Sequence, residues 1–107
     1  MERVYIIDTH HGYSDLLERG LTKKAFKTKE RCEQIIAEMA EEKHGKPFYS
    51  ENSKYVKIIK QYWAGDFSME EAEEKIGSKE KTDVALDSAL YYDFCDMFWI
   101  KEFEIVD

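Results

Sequence analysis

The spacing of apolar residues changes along this chain, and the changes mark where strands give way to helices. Residues 3–8 are β-branched and aromatic and lead into a turn-forming run, which predicts a first strand. Residues 21–27 alternate loosely between apolar and polar side chains and predict a second strand paired with the first. Residues 98–106 predict a last strand beside the first, with Trp99, Phe103 and Ile105 on one face.

Between these strands the apolar residues follow the period of α-helices. Thr28 is a good N-cap for a helix that must end before Pro47. Ser53 can begin a second helix, which Gly65 ends. The predicted apolar stripe comprises Cys32, Ile35, Ile36, Met39 and Ala40 in the first helix, and Tyr55, Val56, Ile59, Tyr62 and Trp63 in the second.

Two further helices have their own start signals. Ser68 and Glu71 form the pattern of a capping box, and Gly77 ends the helix that follows. The last helix is expected from Thr82 or Asp83 to about residue 94. Residues 14–19 can add a single helical turn after the first strand.

These elements predict an α+β protein. We expect a small, mostly antiparallel sheet of three strands, two N-terminal and one C-terminal, packed by about four helices. The chain has 107 residues, of which 43% are hydrophobic and 14% aromatic, and this is enough to bury a core without disulfides or metals. No linker or repeat interrupts the sequence, so residues 1–107 are predicted to form a single domain.

A cytoplasmic location fits the N-terminus and the two cysteines. No apolar run is long enough to span a bilayer, and the first residues resemble a strand rather than a secretion signal. Cys32 and Cys95 each have apolar neighbours, so we expect small buried hydrophobic side chains. A disulfide between them is the alternative.

Charge is divided unevenly along the chain. Residues 1–65 carry 12 Lys or Arg against 10 Asp or Glu, a net of +2, whereas residues 66–107 carry 4 against 13, a net of −9. The acidic residues of the second part are interleaved with aromatic residues instead of forming a low-complexity tail. Acidic residues combined with tyrosines are suited to basic partner surfaces.

We therefore expect an acidic-aromatic surface that binds a protein partner. Its carboxylates could occupy a groove built for phosphates, with tyrosines as desolvated anchors. The alternative is a charged face that only keeps the domain soluble, with half-buried tyrosines. The predicted partner-binding residues are Glu70, Glu71, Glu74, Asp83, Asp87, Tyr91, Tyr92, Asp93 and Asp96.

A basic segment precedes this acidic region. Residues 19–31 contain six Lys or Arg against Glu30, a net of +5, and such a cluster can grip phosphates. The overall acidity and the lack of a known nucleic-acid motif favour a solvated strand edge instead. The segment can also contact an acidic surface, either on the same partner or on a second copy of this chain.

The sequence lacks the usual signatures of catalysis. Asp8 and His10 would share one face of an extended strand, which is a start for a divalent metal site and for a small metal-dependent hydrolase. No third ligand motif, nucleophile elbow or phosphate-binding loop accompanies them. We therefore expect no enzyme activity, no metal and no cofactor, and interpret His10 and His11 as turn residues.

Several segments resemble small α+β proteins that bacteriophages and mobile elements carry, including acidic anti-CRISPR inhibitors. These segments are residues 4–7 (VYII), 25–30 (AFKTKE), 35–39 (IIAEM) and 99–105 (WIKEFEI). The resemblance implies a binding protein without catalytic residues. Together with the charge pattern it predicts a non-enzymatic inhibitor that blocks a nucleic-acid-handling protein. An immunity protein that neutralises a toxin belongs to the same physical class.

Overall fold

Seven regular elements follow one another in the computed structural model, which describes residues 2–9, 13–22 and 24–106. The protein is α+β, as the sequence predicts, with five helices in the described residues rather than about four. The elements are β1 (Arg3–Thr9), α1 (Tyr13–Glu18), α2 (Lys29–His44), α3 (Lys54–Trp63), α4 (Met69–Ile76), α5 (Lys79–Asp96) and β2 (Phe98–Glu104).

The first and last strands form an antiparallel pair. Arg3 lies opposite Glu104 and Thr9 opposite Phe98, so the whole of each strand is paired. Ile7 is buried opposite Ile100, which places an apolar pair in the middle of the sheet. This confirms that the chain ends meet in one sheet, as their β-branched and aromatic content predicts.

The predicted third strand over residues 21–27 is not confirmed. Within the described residues the sheet has two strands, and only Phe26 adds an isolated bridge, exchanging two backbone hydrogen bonds of 2.8 Å with Tyr5. The Leu21 N–H donates instead to the carbonyl of Leu16, and the Lys24 N–H donates to that of Leu21. These turns use the backbone groups that a strand ladder would need.

The predicted start and apolar stripe of α2 are confirmed. The Thr28 hydroxyl accepts a hydrogen bond from the Arg31 N–H at 3.2 Å, as an N-cap residue does. Lys43 and His44 occupy the last turn, where positive charge suits the helix dipole. All five residues of the predicted stripe are buried: Cys32, Ile35, Ile36, Met39 and Ala40.

Serine caps also fix the starts of the next three helices. The hydroxyls of Ser53 and Ser68 accept from backbone N–H groups at the starts of α3 and α4. The Ser78 hydroxyl accepts from the Lys81 N–H at 3.2 Å, and α5 therefore begins earlier than the predicted Thr82 or Asp83. The prediction that Trp63 is buried is wrong, because its side chain is 40% exposed.

Cα proximity divides the chain into two compact units. The first comprises Met1–Met39 and Phe94–Asp107, and the second comprises Ala40–Asp93. The buried core of the second unit contains Val56, Ile59, Ile76, Ala85 and Ala89. In the described part of the chain, no helix is both long and apolar enough to cross a membrane.

Gly77 gives a first test of this local architecture. It ends α4 in the left-handed conformation, with φ of +93°, and no atom lies within 4 Å of a Cβ built at this position. Gly77→Ala should therefore lower the free energy of unfolding by about 1 kcal/mol through backbone strain alone. Urea denaturation measures this, with the exposed Glu74→Ala as a control that should change stability little.

Candidate acidic interaction surface

The three predicted residues of α4 are all exposed, but they do not share one depression. Glu70 and Glu74 line a shallow concavity of about 600 Å³ together with Glu73, Ser78 and Lys79. Glu71 is exposed but is not part of this lining. The concavity therefore combines three carboxylates with one ammonium group, and its net charge is negative.

The predicted residues at the start of α5 fall on one strip of the helix. Asp83, Asp87 and Tyr91 follow at intervals of four residues, which places them on neighbouring turns. Both carboxylates are exposed, and Tyr91 is half-buried. Glu80 joins this strip because α5 begins at Lys79. We call the surface of α5 that carries Glu80, Asp83, Asp87 and Tyr91 the α5 acidic strip.

Asp93 and Asp96 lie away from the α5 acidic strip. At 100° per residue, Asp93 is turned by about 120° from Asp87 around the helix axis. Asp96 belongs to the first unit, whereas the strip belongs to the second. Both carboxylates are exposed. Three of the nine predicted residues thus lie on α4, and three others, Asp83, Asp87 and Tyr91, lie along one strip of α5. The remaining three, Tyr92, Asp93 and Asp96, lie off that strip.

The carboxylates of α4 and of the α5 acidic strip form no ion pair with the described residues. Ion pairs elsewhere in the described residues include Arg3 with Glu102, Lys60 with Glu51 and Lys101 with Asp8. Lys75, Lys79 and Lys81 lie on the same two helices, but they are outnumbered by the carboxylates, so the net charge of these helix surfaces is negative. A surface of this kind attracts cationic groups over distances of about 10 Å at 0.1 M salt.

Tyr92 has a structural role that the sequence did not reveal. Its hydroxyl donates to the backbone carbonyl of Tyr49 at 3.0 Å, and its half-buried ring packs against the core of the second unit. The Tyr91 ring meets the Tyr92 ring edge to face, with 5.2 Å between centroids. Of the two predicted tyrosine anchors, only Tyr91 falls on the α5 acidic strip.

Phe48 is an exposed aromatic residue that sequence reasoning missed. Its side chain is 79% exposed, yet its backbone N–H donates to the hydroxyl of Ser88 at 3.1 Å. The ring stands at 85° to that of Tyr49, with 5.1 Å between centroids. A large apolar side chain on a fixed backbone, in the same unit as the acidic strip, suits an interface anchor. The sequence feature that could have indicated this residue is the pair of aromatic residues, Phe48 and Tyr49, directly after Pro47.

The alternative metal site falls partly outside the described residues, because His10 and His11 lie there. One oxygen of Asp8 accepts from the Thr9 N–H at 2.7 Å, and the other lies 2.6 Å from the Lys101 ammonium. In the part of the chain that is described, no group of three or more His, Cys, Asp or Glu residues is placed to hold a metal ion. The Asp8 carboxylate is thus engaged in the sheet.

Cys32 and Cys95 form no disulfide with each other. Cys32 is fully buried in α2, and this burial, followed by the nearby Glu33 carboxylate, raises the pKa of its thiol. A raised pKa keeps the sulfur protonated and poorly nucleophilic near neutral pH. Cys32 therefore acts as the small buried hydrophobic residue that the sequence predicts.

The basic segment 19–31 is exposed wherever its charged side chains are described. Arg19, Lys24, Lys27, Lys29 and Arg31 are all exposed, and Lys23 lies outside the described residues. The described residues between 21 and 27 form no strand ladder, so the prediction that these lysines protect a regular sheet edge is not confirmed. The segment instead places positive charge along the loop before α2 and on the first turn of α2, where Lys29 and Arg31 lie.

Comparisons with models of known protein families, with curated proteins and with solved structures found no match for this chain.

Proposed function

We propose that this chain is a non-enzymatic binding protein that blocks a nucleic-acid-handling protein through the acidic face of its second unit. The observation that carries the proposal is the α5 acidic strip, in which Glu80, Asp83 and Asp87 are exposed and have no ion pair with the described residues. The α4 concavity adds three more carboxylates in the same unit. The resemblance to phage-encoded acidic inhibitors supports the same function in the cytoplasm.

The physical basis is competition for a basic groove. Carboxylates three or four residues apart on a helix advance by about 4.5–6 Å, so the strip presents a row of negative charges. A protein groove lined with Lys and Arg binds phosphates mainly through such charges. Carboxylates on this strip would occupy the groove and keep nucleic acid out of it.

Aromatic side chains would supply most of the binding energy once the charges have brought the partners together. Exposed charges mainly raise the rate of encounter, whereas desolvated aromatic anchors slow dissociation. Tyr91, on the strip, and Phe48, exposed on a fixed backbone, are the two candidates in the second unit. Tyr92 is less suited, since its hydroxyl is already hydrogen-bonded to Tyr49.

Charge reversal on the strip tests the proposal directly. Asp83→Lys combined with Asp87→Lys should weaken binding to proteins retained from a native host extract by about tenfold or more, because it opposes a basic groove. The matched control is Asp66→Lys combined with Asp93→Lys, which makes the same change in net charge at two exposed positions outside the strip. Double-stranded DNA or RNA added to the bound wild-type chain should release the partner.

The proposal fails if nucleic acid leaves the retained proteins bound, since the chain would then not occupy their nucleic-acid site. It also fails if the control pair weakens binding as much as the strip pair, because net charge alone would explain both. Binding that is indifferent to salt would contradict the role of the carboxylates.

A further inference from the structure

The outer edge of β2 is open. Within the described residues β2 pairs only with β1, and the sheet ends there. The Ile105 N–H donates to the carbonyl of Glu2, so odd-numbered residues of this strand direct their backbone groups toward β1. The backbone N–H and C=O groups of Ile100, Glu102 and Glu104 therefore point away from the sheet. In the part of the chain that is described, no residue pairs with them across this edge.

The position of Phe26 supports this assignment of the edge. Tyr5 lies opposite Glu102, and its backbone N–H and C=O both bond to Phe26 on the far side of β1. In an antiparallel sheet, when one residue directs its backbone N–H and C=O groups away from the partner strand, the residue directly opposite it does the same. Glu102 must then direct its own groups away from β1.

A groove runs beside this edge, between β2 and α2 in the first unit. It measures about 380 Å³. Its lining comprises Phe98, Trp99 and Ile100 from β2, Cys95 from the end of α5, and Lys29, Glu33, Ile36 and Ala37 from α2. Phe98 and Ile100, which line the groove, are even-numbered residues whose backbone groups point away from β1, so the groove adjoins the open edge. No described residue of β1 contributes to the lining.

We propose that this edge and groove bind an extended segment of a partner protein, which adds to the sheet as a strand beside β2. Strand addition supplies backbone hydrogen bonds from the edge and a pocket for alternate side chains of the segment. This surface belongs to the first unit and is separate from the acidic face of the second unit. The inference is therefore independent of the proposed function.

The chemistry of the edge indicates which segment fits. Near Phe98 and Ile100 the groove is mainly apolar, whereas farther along the strand Glu102 and Glu104 expose carboxylates. Arg3 is paired with Glu102 at 2.9 Å, which leaves the Glu104 carboxylate as the uncompensated charge of this end. The complementary segment is apolar where it lies beside Phe98 and Ile100 and basic where it lies beside Glu104.

A second copy of the chain fits this edge poorly. In β2 the backbone groups of the even-numbered residues point outward. If two copies joined at this edge, these residues would form backbone hydrogen bonds with even-numbered residues of the second β2. The antiparallel register that overlaps the whole strand then places Lys101 directly opposite Lys101 of the second copy. Like charges directly opposite one another destabilise a strand pair.

Site-resolved hydrogen exchange tests the proposal on the intact chain. The probe is a short synthetic peptide with valine and threonine in one half and alternating valine and lysine in the other. Without the peptide, the amides of Ile100, Glu102 and Glu104 should exchange readily, whereas those of Lys101 and Phe103 should be protected by β1. Saturating peptide should slow exchange at the first three by about tenfold or more.

A peptide with the same sequence, N-methylated at the amides that face β2, is the control ligand and should bind at least about tenfold more weakly. On the protein, Glu102→Pro removes an outward N–H from an edge strand, and Glu102→Ala removes the same carboxylate but keeps the N–H. The proline variant should bind the peptide about tenfold more weakly than the alanine variant. Circular dichroism establishes whether each variant is folded.

Three results would overturn the proposal. The first is slow hydrogen exchange at the amides of Ile100, Glu102 and Glu104 in the absence of peptide and at low protein concentration. This result would mean that another part of the same chain covers the edge. Protection that grows with protein concentration would identify a second copy as the occupant. Equal binding of the methylated and unmethylated peptides, or no binding of either, would show that strand addition does not occur.

Discussion

Ile59→Ala should lower the free energy of unfolding by about 2–5 kcal/mol. Ile59 is fully buried on α3 and packs in a core cluster with Val56, Ile76, Ala85 and Ala89. Two of these neighbours are alanines on α5, whose short side chains cannot extend to fill the space that the substitution leaves. The unfilled volume adds a cavity cost to the loss of buried apolar surface.

Lys57→Ala is the matched control for this substitution. Lys57 lies on the same helix, and its side chain is exposed, so its truncation should change stability by less than about 0.5 kcal/mol. Urea denaturation measures both variants, and an unchanged slope with denaturant would show that the unfolded states are comparable. Similar losses at the two positions would mean that the buried face of α3 is wrongly assigned.

Local signals explain why most of the elements could be predicted. A serine or threonine cap uses only backbone groups within a few residues, so Thr28, Ser53 and Ser68 indicate their helix starts correctly. Helical periodicity likewise depends on near neighbours, and it places Cys32 and Met39 on the buried side of α2. The pairing of the chain ends follows from two β-rich segments that each need a partner.

Features that depend on distant residues could not be predicted in the same way. Loose alternation over residues 21–27 is compatible with a strand, but local turns at Leu21 and Lys24 use the backbone groups first. The predicted start of α5 is too late because the pattern of apolar residues does not identify Ser78 as an N-cap. Glu80 therefore falls outside the predicted helix and is absent from the predicted partner-binding residues. A cap signal at residue 78 would have identified both.

The candidate site was only partly predictable because it lies on α5, a long helix whose buried residues belong to the second unit at one end and to the first unit at the other. Ala85 and Ala89 are buried in the second unit and Phe94 in the first. At 100° per residue Phe94 is turned by about 140° from Ala89, so no single stripe describes the buried side of α5. The sequence pattern alone therefore groups Asp93 with Asp87 and predicts Tyr92 as an anchor, whereas the structure separates both from the α5 acidic strip.

The two proposed surfaces make separable predictions because they belong to different units. Charge reversal at Asp83 and Asp87 alters only the second unit, and the proline substitution at Glu102 alters only the first. A partner that uses both surfaces would gain affinity through the effective concentration of the second contact. Loss of either surface alone would then weaken binding, whereas a partner of the acidic face alone would be unaffected by changes at β2.

Ser88→Ala should lower the free energy of unfolding by about 1–3 kcal/mol, although it removes a single oxygen atom. Ser88 is 1% exposed, and its hydroxyl oxygen accepts two backbone hydrogen bonds of 3.1 Å, from the N–H groups of Phe48 and Tyr49. The substitution leaves both donors without this acceptor. A donor that loses its partner while shielded from water costs about 1–3 kcal/mol, which exceeds the net gain from an ordinary hydrogen bond.

Ser50→Ala provides the same chemical change at an exposed position and should alter stability by less than about 0.5 kcal/mol. Hydrogen exchange at the Phe48 and Tyr49 amides supplies a local readout, since Ser88→Ala should speed exchange there more than at β1 and β2. A loss of stability with no change at these two amides would assign the effect to helix packing. A Ser88→Ala protein as stable as the Ser50→Ala control would mean that water replaces the hydroxyl, and that the backbone of Phe48 is not held in place by α5.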